Sequence, residues 1–163
     1  MSQSLANVVV PIVYSTKNRE PWLKDPNLCN ELYAYNATIL RSEVDSPAIL
    51  INAVEDHIHI LCRLSRKVAI MDVLKVSKTE TSKWLKMRDL ALKGFSWQCG
   101  YGIFSVSQSN VEQVKGYIAN QAEHHKRMTF QDEFREICKR DDIEIDERYV
   151  WDTMMERSGG LAG

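Results

Sequence analysis

Two histidines stand one residue apart in EDHIHIL, residues 55–61, where His57 and His59 flank a single isoleucine. In a β-strand, side chains at positions i and i+2 point to the same face, so both imidazoles would lie on one side of a sheet. Imidazole nitrogens bind divalent metals, and two of them at this distance can converge on one ion. Two half-exposed strand histidines that bind nothing would show the same short pattern. A third ligand and a reacting group must therefore be sought elsewhere in the chain.

A tyrosine and a glutamine offer such groups in VKGYIANQAEHH, residues 114–125. Tyr117 and Gln121 are four residues apart, which puts them on one face of a helix, one turn from each other. An amide oxygen and two imidazoles would leave positions open on Mg²⁺ or Mn²⁺ for water and phosphate oxygens, and the cation would act on the phosphate as a Lewis acid. A phenol with a pKa of roughly 10 needs such a cation or a general base to attack at neutral pH.

The elements that position these residues follow from the hydrophobic periodicity. NVVVPIVY reads as a strand in which Pro11 suggests an edge position or a bulge. Apolar residues at helical or alternating spacing then predict two helices and three more strands: a helix over 27–43, a hairpin of strands 48–54 and 57–64, a helix over 69–87 and a strand over 101–106. Glu55 and Asp56 make the hairpin turn, and Asp56 either also orients a histidine by hydrogen bonding to it or only forms the turn.

The element order β-α-β-β-α-β predicts an α+β, ferredoxin-like fold, with an antiparallel sheet and helices on one face. Along the return strand, Ile58 and Ile60 alternate with His57 and His59, so the isoleucines must face the core. The histidines would point to the opposite face, which the two helices would leave free for function.

The rest of the chain predicts shorter elements. Ser109 or Asn110 can cap a third helix that runs to about Arg127. A helix near 130–139 and a possible strand at 143–145 follow, and the last residues, SGGLAG, indicate disorder. We therefore expect one domain over residues 1–152 and a disordered tail over 153–163.

Composition limits the class of protein. A chain of 163 residues with 44% hydrophobic residues can bury one sizeable core. It contains no apolar run of the roughly 18 residues that a membrane span needs, and its N-terminus does not resemble a signal peptide, which predicts a cytoplasmic protein. The four scattered cysteines contain no C-x-x-C pair, so a zinc ribbon is not expected.

Charge gives a weak indication of a phosphate-binding surface. Residues 1–128 carry 16 basic and 12 acidic side chains, whereas residues 129–163 carry 5 and 10. The exposed face of the second helix presents a row of lysines that could follow DNA phosphates, although such a row is more often only a solvated face: Lys75, Lys78, Lys83 and Lys86.

Four separated segments together resemble one family. IVYSTKNREPWL, EDHIHIL, WQCGYGIFSVS, and VKGYIANQAEHHK followed by FQDEF look like the insertion sequence 200-like transposases, the single-tyrosine HUH (His-hydrophobic-His) enzymes. The resemblance covers about residues 7–152. Pro11 is a departure, since family members often carry histidine there, and it puts only a local strand detail in question.

The resemblance implies a role for each matching residue. His57 and His59 would bind a divalent cation, Mg²⁺ or Mn²⁺, with Gln121 as the third ligand. Tyr117 would attack a phosphodiester of single-stranded DNA and leave a 5′-phosphotyrosine. The family further implies a homodimer whose tyrosine helix can complete the partner's site, and binding of DNA hairpins at the ends of a small insertion sequence. An edge strand such as 7–14 would be the natural dimer contact.

Three other functions remain open from the sequence. A domesticated relative would process repeated chromosomal hairpins. A non-catalytic module would bind single-stranded DNA or hairpins without cutting them. A metal-dependent phosphoesterase that uses water would keep its activity when Tyr117 is replaced by phenylalanine.

Overall fold

A four-stranded antiparallel sheet forms the centre of the protein, for which this computed structural model describes residues 2–147 and residue 150. The strands are β1 (Val9–Ser15), β2 (Ala48–Val54), β3 (His57–Arg63) and β4 (Gly102–Ile103), in the spatial order β2-β3-β1-β4. With α1 (Pro26–Val44) and α2 (Ile70–Arg88) inserted after β1 and β3, this arrangement confirms the predicted ferredoxin-like α+β fold.

Helices α1 and α2 pack side by side on one face of the sheet. Asp25 begins α1 by accepting a hydrogen bond from the Asn27 backbone N–H, with Pro26 in the first turn, where its missing N–H costs nothing. Every second residue of the central strands points into the main core between sheet and helices, which contains Val10, Ile12, Tyr14, Ile58, Ile60 and Cys62. The predicted inward direction of Ile58 and Ile60 is thereby confirmed.

Strand β1 lies inside the sheet, so the predicted edge position was wrong. It pairs with β3 along its whole length and with β4 at Ile12 and Val13. The Pro11 carbonyl accepts a hydrogen bond from Phe104 N, just after the two-residue strand β4. The nitrogen and the carbonyl of a strand residue point to the same side, so the missing N–H of Pro11 also faces β4. The longer ladder with β3 therefore loses no donor, and the sheet edges are β2 and β4 rather than the suspected dimer contact at 7–14.

Three shorter helices cover the other face of the sheet, which the sequence predicted to be open. They are α3 (Val111–Ala119), α4 (Gln121–His125) and α5 (Phe130–Arg140). Val111 and Ile118 of α3 pack on Leu61 and Val9 and form a second, smaller core. The sheet is thus buried on both sides.

The predicted third helix is interrupted at Asn120, which has φ −98° and ψ 20° and separates α3 from α4. The side-chain amide of Asn52 on β2 donates to the Ile118 carbonyl at 2.8 Å, so the end of α3 is tied to the sheet. This contact comes from a distant strand, which explains why helical periodicity alone predicted one continuous helix.

Beyond α5, the chain forms a turn rather than the strand expected at 143–145, and the Ile143 N–H donates to the Cys138 carbonyl. The expected tail at 153–163 lies outside the described residues. Within the described part, no helix is both long and apolar enough to cross a membrane.

Candidate active site

The His57 and His59 side chains lie together beneath the second helical layer. Alternation along β3 directs both away from the isoleucines, as predicted, and their ring centroids are 5.2 Å apart. The helices above them leave His57 0% and His59 4% exposed. The pair therefore forms the floor of a covered site instead of an open sheet face.

Asp56 fixes the orientation of His57. Its Oδ1 lies 2.7 Å from His57 Nδ1, while its backbone carbonyl accepts a hydrogen bond from Thr16 N and holds the β2–β3 turn. Burial raises the pKa of the Asp56 carboxyl, but the hydrogen bond and charge of His57 outweigh this and leave the pKa below its ordinary value. Asp56 is therefore placed both to form the turn and to orient His57. Its role toward a metal stays a prediction.

Two residues that the sequence reasoning did not choose complete the cluster. His125 at the end of α4 and Glu133 on α5 lie so close to the pair that one ligand atom from each of the four residues falls within 4.8 Å of the others. Glu133 Oε2 is 3.1 Å from His125 Nε2. A signal was present in the sequence, because Glu133 follows Phe130 by one turn on the buried side of an amphipathic helix, where an unpaired carboxylate would not be expected.

The cluster keeps two of its imidazoles, those of His59 and His125, neutral. Burial, and then the neighbouring His57, lower the pKa of His59 well below its ordinary value, and burial lowers that of His125 to about 4. Burial, followed by the charge of Asp56, raises the pKa of Glu133 to about 8. Neutral imidazole is the form that binds metals.

Three atoms of this cluster are buried without a hydrogen-bond partner: His57 Nε2, His59 Nε2 and Glu133 Oε2. Each such atom costs about 1–3 kcal/mol if it stays unsatisfied. A divalent cation would satisfy all three, and two imidazole nitrogens with a carboxylate oxygen are a donor set that such ions accept. The residues present therefore fit a divalent metal site.

Tyr117 reaches this site from α3. Its half-buried ring lies 6.1 Å from the His59 ring and 4.9 Å from the His124 ring, measured between centroids. It also lines a cleft of about 950 Å³ between β1, the segment that follows β4, α3 and α5, which His59 and Glu133 border as well. The predicted nucleophile and His59 of the predicted metal pair thus border one cleft within a single chain, whereas His57 does not line it.

Gln121, the predicted third ligand, is completely buried beside the cluster. Its Oε1 lies 3.0 Å from His125 Nε2, and its Nε2 lies 3.4 Å from Glu133 Oε1. The structure therefore puts Gln121 in contact with both additional residues. Its role as a direct ligand stays a prediction.

The lysine row lies on α2, on the opposite side of the sheet from the histidines. Lys75, Lys83 and Lys86 are exposed, whereas Lys78 is half-buried and donates to the carbonyls of Gln98, Cys99 and Gly100 at 2.9, 3.1 and 2.7 Å. Lys78 thus differs from the solvent-exposed position expected for it on α2, because it donates hydrogen bonds to the loop before β4. DNA contact by the row stays a prediction.

Residues 4–121 match the family model described as "Transposase IS200 like". The chain belongs to the IS200-like transposases. The matched segment is most of the chain and includes His57, His59, Tyr117 and Gln121, but it ends before His125 and Glu133. Family membership thus confirms the resemblance drawn from the four sequence motifs.

Two solved structures share the fold of this chain. A candidate transposase from Deinococcus radiodurans r1 aligns with a TM-score of 0.52 and 20% identity over 74% of this transposase and 98% of its own chain. A REP-associated tyrosine transposase, solved bound to a REP hairpin, aligns with a TM-score of 0.56 and 12% identity over 77% and 74%. A comparison with curated proteins gave no match.

Proposed function

We propose that this IS200-like transposase cleaves and rejoins single-stranded DNA through Tyr117, with a divalent cation, Mg²⁺ or Mn²⁺, held at His57 and His59. Gln121 is the proposed third ligand. The observation that carries the proposal is that a half-buried tyrosine and His59 border one cleft, while the Nε2 atoms of His59 and of His57 are buried without a hydrogen-bond partner. Family membership supports the same reaction class.

The proposed reaction is a phosphoryl exchange. The Tyr117 oxygen forms a bond to phosphorus while the bond to the 3′-oxygen breaks, which leaves a 5′-phosphotyrosine and a free 3′-hydroxyl. The phenolic proton leaves to an adjacent base, for which the His124 imidazole is placed beside the ring, and the departing 3′-oxygen gains a proton. The cation, when bound, withdraws charge from the phosphate. Because a DNA 3′-hydroxyl can reverse the attack, rejoining needs no external energy source.

The proposed substrate is single-stranded DNA with hairpins at the ends of a small insertion sequence. The similar REP-associated transposase was solved with a REP hairpin, and this supports a hairpin ligand here. A domesticated relative that processes repeated chromosomal hairpins would have the same site. DNA flanking the gene separates the two, because a mobile copy should recur with the same hairpin ends.

Covalent capture tests the chemistry. The purified protein is incubated with Mn²⁺ and single-stranded oligonucleotides that cover both flanks of its gene, and the products are separated on a denaturing gel. We expect a protein–DNA band that disappears in Tyr117→Phe, in His57→Ala and with excess EDTA. Tyr35→Phe, whose ring stacks on Trp84 on the other side of the sheet, is the matched control and should retain the band. Cleavage that survives Tyr117→Phe would refute the tyrosine mechanism and indicate water as nucleophile.

A non-catalytic hairpin binder is the second candidate. The burial of the His57 and His59 side chains by α3–α5 favours it, because this layer leaves almost none of either imidazole exposed to a phosphate. Tight hairpin binding with no cleavage in any divalent metal would support this function over the first.

The homodimer is also part of the proposal. Tyr117 already lies beside His59 of its own chain, so a single chain can supply both groups. Mixing Tyr117→Phe and His57→Ala proteins tests whether subunits share sites. Restored covalent capture in the mixture would establish shared sites, and its absence, with dimers verified by size, would assign each site to one chain.

A further inference from the structure

Glu133 enters the histidine pair from a helix that lies beyond the family-matched segment. Thr129 caps the start of α5 by accepting a hydrogen bond from the Asp132 backbone N–H, and one turn of helix then brings Glu133 over β3. Its Oε2 is 3.7 Å from His57 Nε2 and its Oε1 is 3.6 Å from His59 Nε2. Its side chain is 2% exposed, so water does not satisfy the carboxyl group.

The hydrogen-bond pattern determines which nitrogen lone pairs are available. Asp56 Oδ1 lies 2.7 Å from His57 Nδ1, which places the proton on Nδ1 and leaves the lone pair on Nε2. His125 Nε2 lies 3.0 Å from Gln121 Oε1 and 3.1 Å from Glu133 Oε2. The His125 ring also hydrogen-bonds to the Met128 backbone, which fixes its orientation. His125 thus contacts both Gln121 and Glu133 and holds them next to each other.

Three of the atoms that remain without a partner lie close to one another. His57 Nε2, His59 Nε2 and Glu133 Oε2 are three of the four buried side-chain polar atoms without a hydrogen bond in the described part of the chain. The separations of 3.6 and 3.7 Å are too long for hydrogen bonds but span a space that an ion between the atoms would occupy. A residue that served only to pack α5 on the sheet would be apolar, since a buried carboxyl oxygen without a hydrogen bond is costly.

We propose that Glu133 is a direct ligand of the divalent cation, together with His57 and His59, and that His125 and Gln121 position its carboxylate. This inference rests on the metal site of the proposed function but not on its DNA chemistry. The carboxylate adds a negative, oxygen-donating ligand to two neutral imidazoles, which favours Mn²⁺ and Mg²⁺. It also makes α5 part of the metal site.

Metal binding by the full chain tests this without any activity assay. EDTA-stripped protein is titrated with Mn²⁺, and the bound fraction is measured by electron paramagnetic resonance and by calorimetry. Loss of residues that only support metal ligands weakens affinity by about 10- to 100-fold, so Glu133→Gln should weaken it by at least about tenfold. Glu136→Gln removes the same charge from the exposed side of α5 and should stay within about twofold of the unmodified chain.

A second variant distinguishes loss of a metal ligand from loss of folding. Glu133→Asp keeps the charge on a side chain one methylene shorter, and its circular dichroism and melting temperature are compared with those of Glu133→Gln. Weaker Mn²⁺ binding by folded Glu133→Asp, with Glu136→Gln unaffected, supports the proposal. Unchanged Mn²⁺ affinity in folded Glu133→Gln overturns it, and so does an unmodified chain that binds no Mn²⁺.

Covalent capture on the same samples separates this inference from the proposed function. If Mn²⁺ binding depends on Glu133 but no phosphotyrosine band forms, the metal ligand stands and the DNA chemistry fails. If the band forms and Glu133→Gln binds Mn²⁺ normally, the DNA chemistry stands and the ligand assignment fails.

Discussion

The metal-free protein should lose stability as the pH rises from 6.5 to 8, and Glu133 should cause that loss. Burial raises the pKa of its carboxyl from the ordinary 4.5 to about 8, so the folded state keeps a proton that the unfolded chain has already released. A group with a raised pKa stabilises the fold fully below its unfolded pKa, and that stabilisation is lost as the pH rises through the folded value. Stability should therefore fall with pH across this window.

The histidines act in the opposite direction. The pKa values of His59 and His125 lie below the ordinary 6.5 in the fold, so their contribution to stability increases as the pH rises and is complete only about one pH unit above 6.5, when the unfolded histidines have released their protons. This increase offsets part of the Glu133 loss at the lower end of the window. The contribution of Glu133 is therefore the difference between the profiles of the unmodified chain and Glu133→Gln.

The size of the effect follows from linkage. One extra proton in the folded state changes stability by about 1.4 kcal/mol per pH unit, and with a pKa of about 8 the loss between pH 6.5 and 8 is about 1.5 kcal/mol. Urea unfolding in EDTA, followed by tryptophan fluorescence, measures it. Glu133→Gln should abolish the fall, whereas Glu136→Gln should keep most of it, because the charge of Glu136 is the smallest of the causes that raise the pKa of Glu133. An equally steep loss in Glu133→Gln would refute the reasoning.

Three further substitutions test the support of the site. Asp56→Ala removes the acceptor 2.7 Å from His57 Nδ1 and should weaken Mn²⁺ binding about 10- to 100-fold in calorimetry; an unchanged affinity would limit Asp56 to its turn. Ile118 lies on the buried face of α3 and is 1% exposed, so Ile118→Ala should lower the free energy of unfolding in urea by about 2–5 kcal/mol. A negligible change would contradict its core position. Asn52→Ala removes the 2.8 Å bond to the Ile118 carbonyl, should cost about 1 kcal/mol, and should slow single-turnover cleavage by loosening Tyr117; a rate equal to that of the unmodified chain would show that other contacts hold α3.

The sequence was sufficient where local periodicity determines structure. Alternation in HIHIL separates Ile58 and Ile60 from His57 and His59, because adjacent side chains of a strand must point to opposite faces. The order of strands and helices then leaves few topologies for an antiparallel sheet, and the ferredoxin-like arrangement is one of them.

The errors arose where distant segments meet. The place of β1 inside the sheet depends on its pairing with β4. Pro11 misled the prediction because its missing N–H faces the short strand β4 and removes no hydrogen bond from the long ladder with β3. The end of α3, just before the break at Asn120, is held by an amide from β2. The arrival of Glu133 at β3 depends on how α5 packs, which no spacing within α5 specifies.

The position of the cleft relative to the cluster suggests how a covered metal site could still meet DNA. His59, Tyr117 and Glu133 border the cleft, whereas His57 does not. Under the proposed function, a phosphate that enters the cleft would approach from the Tyr117 side and meet His59 and Glu133 first, while His57 stays behind them against Asp56. Glu133 is then the group whose shift would open a coordination position to the phosphate, since it is carried by α5 and not by the central sheet. Under the proposed function, α5, which covers the histidine pair, is therefore also the element whose movement would let the substrate reach the site.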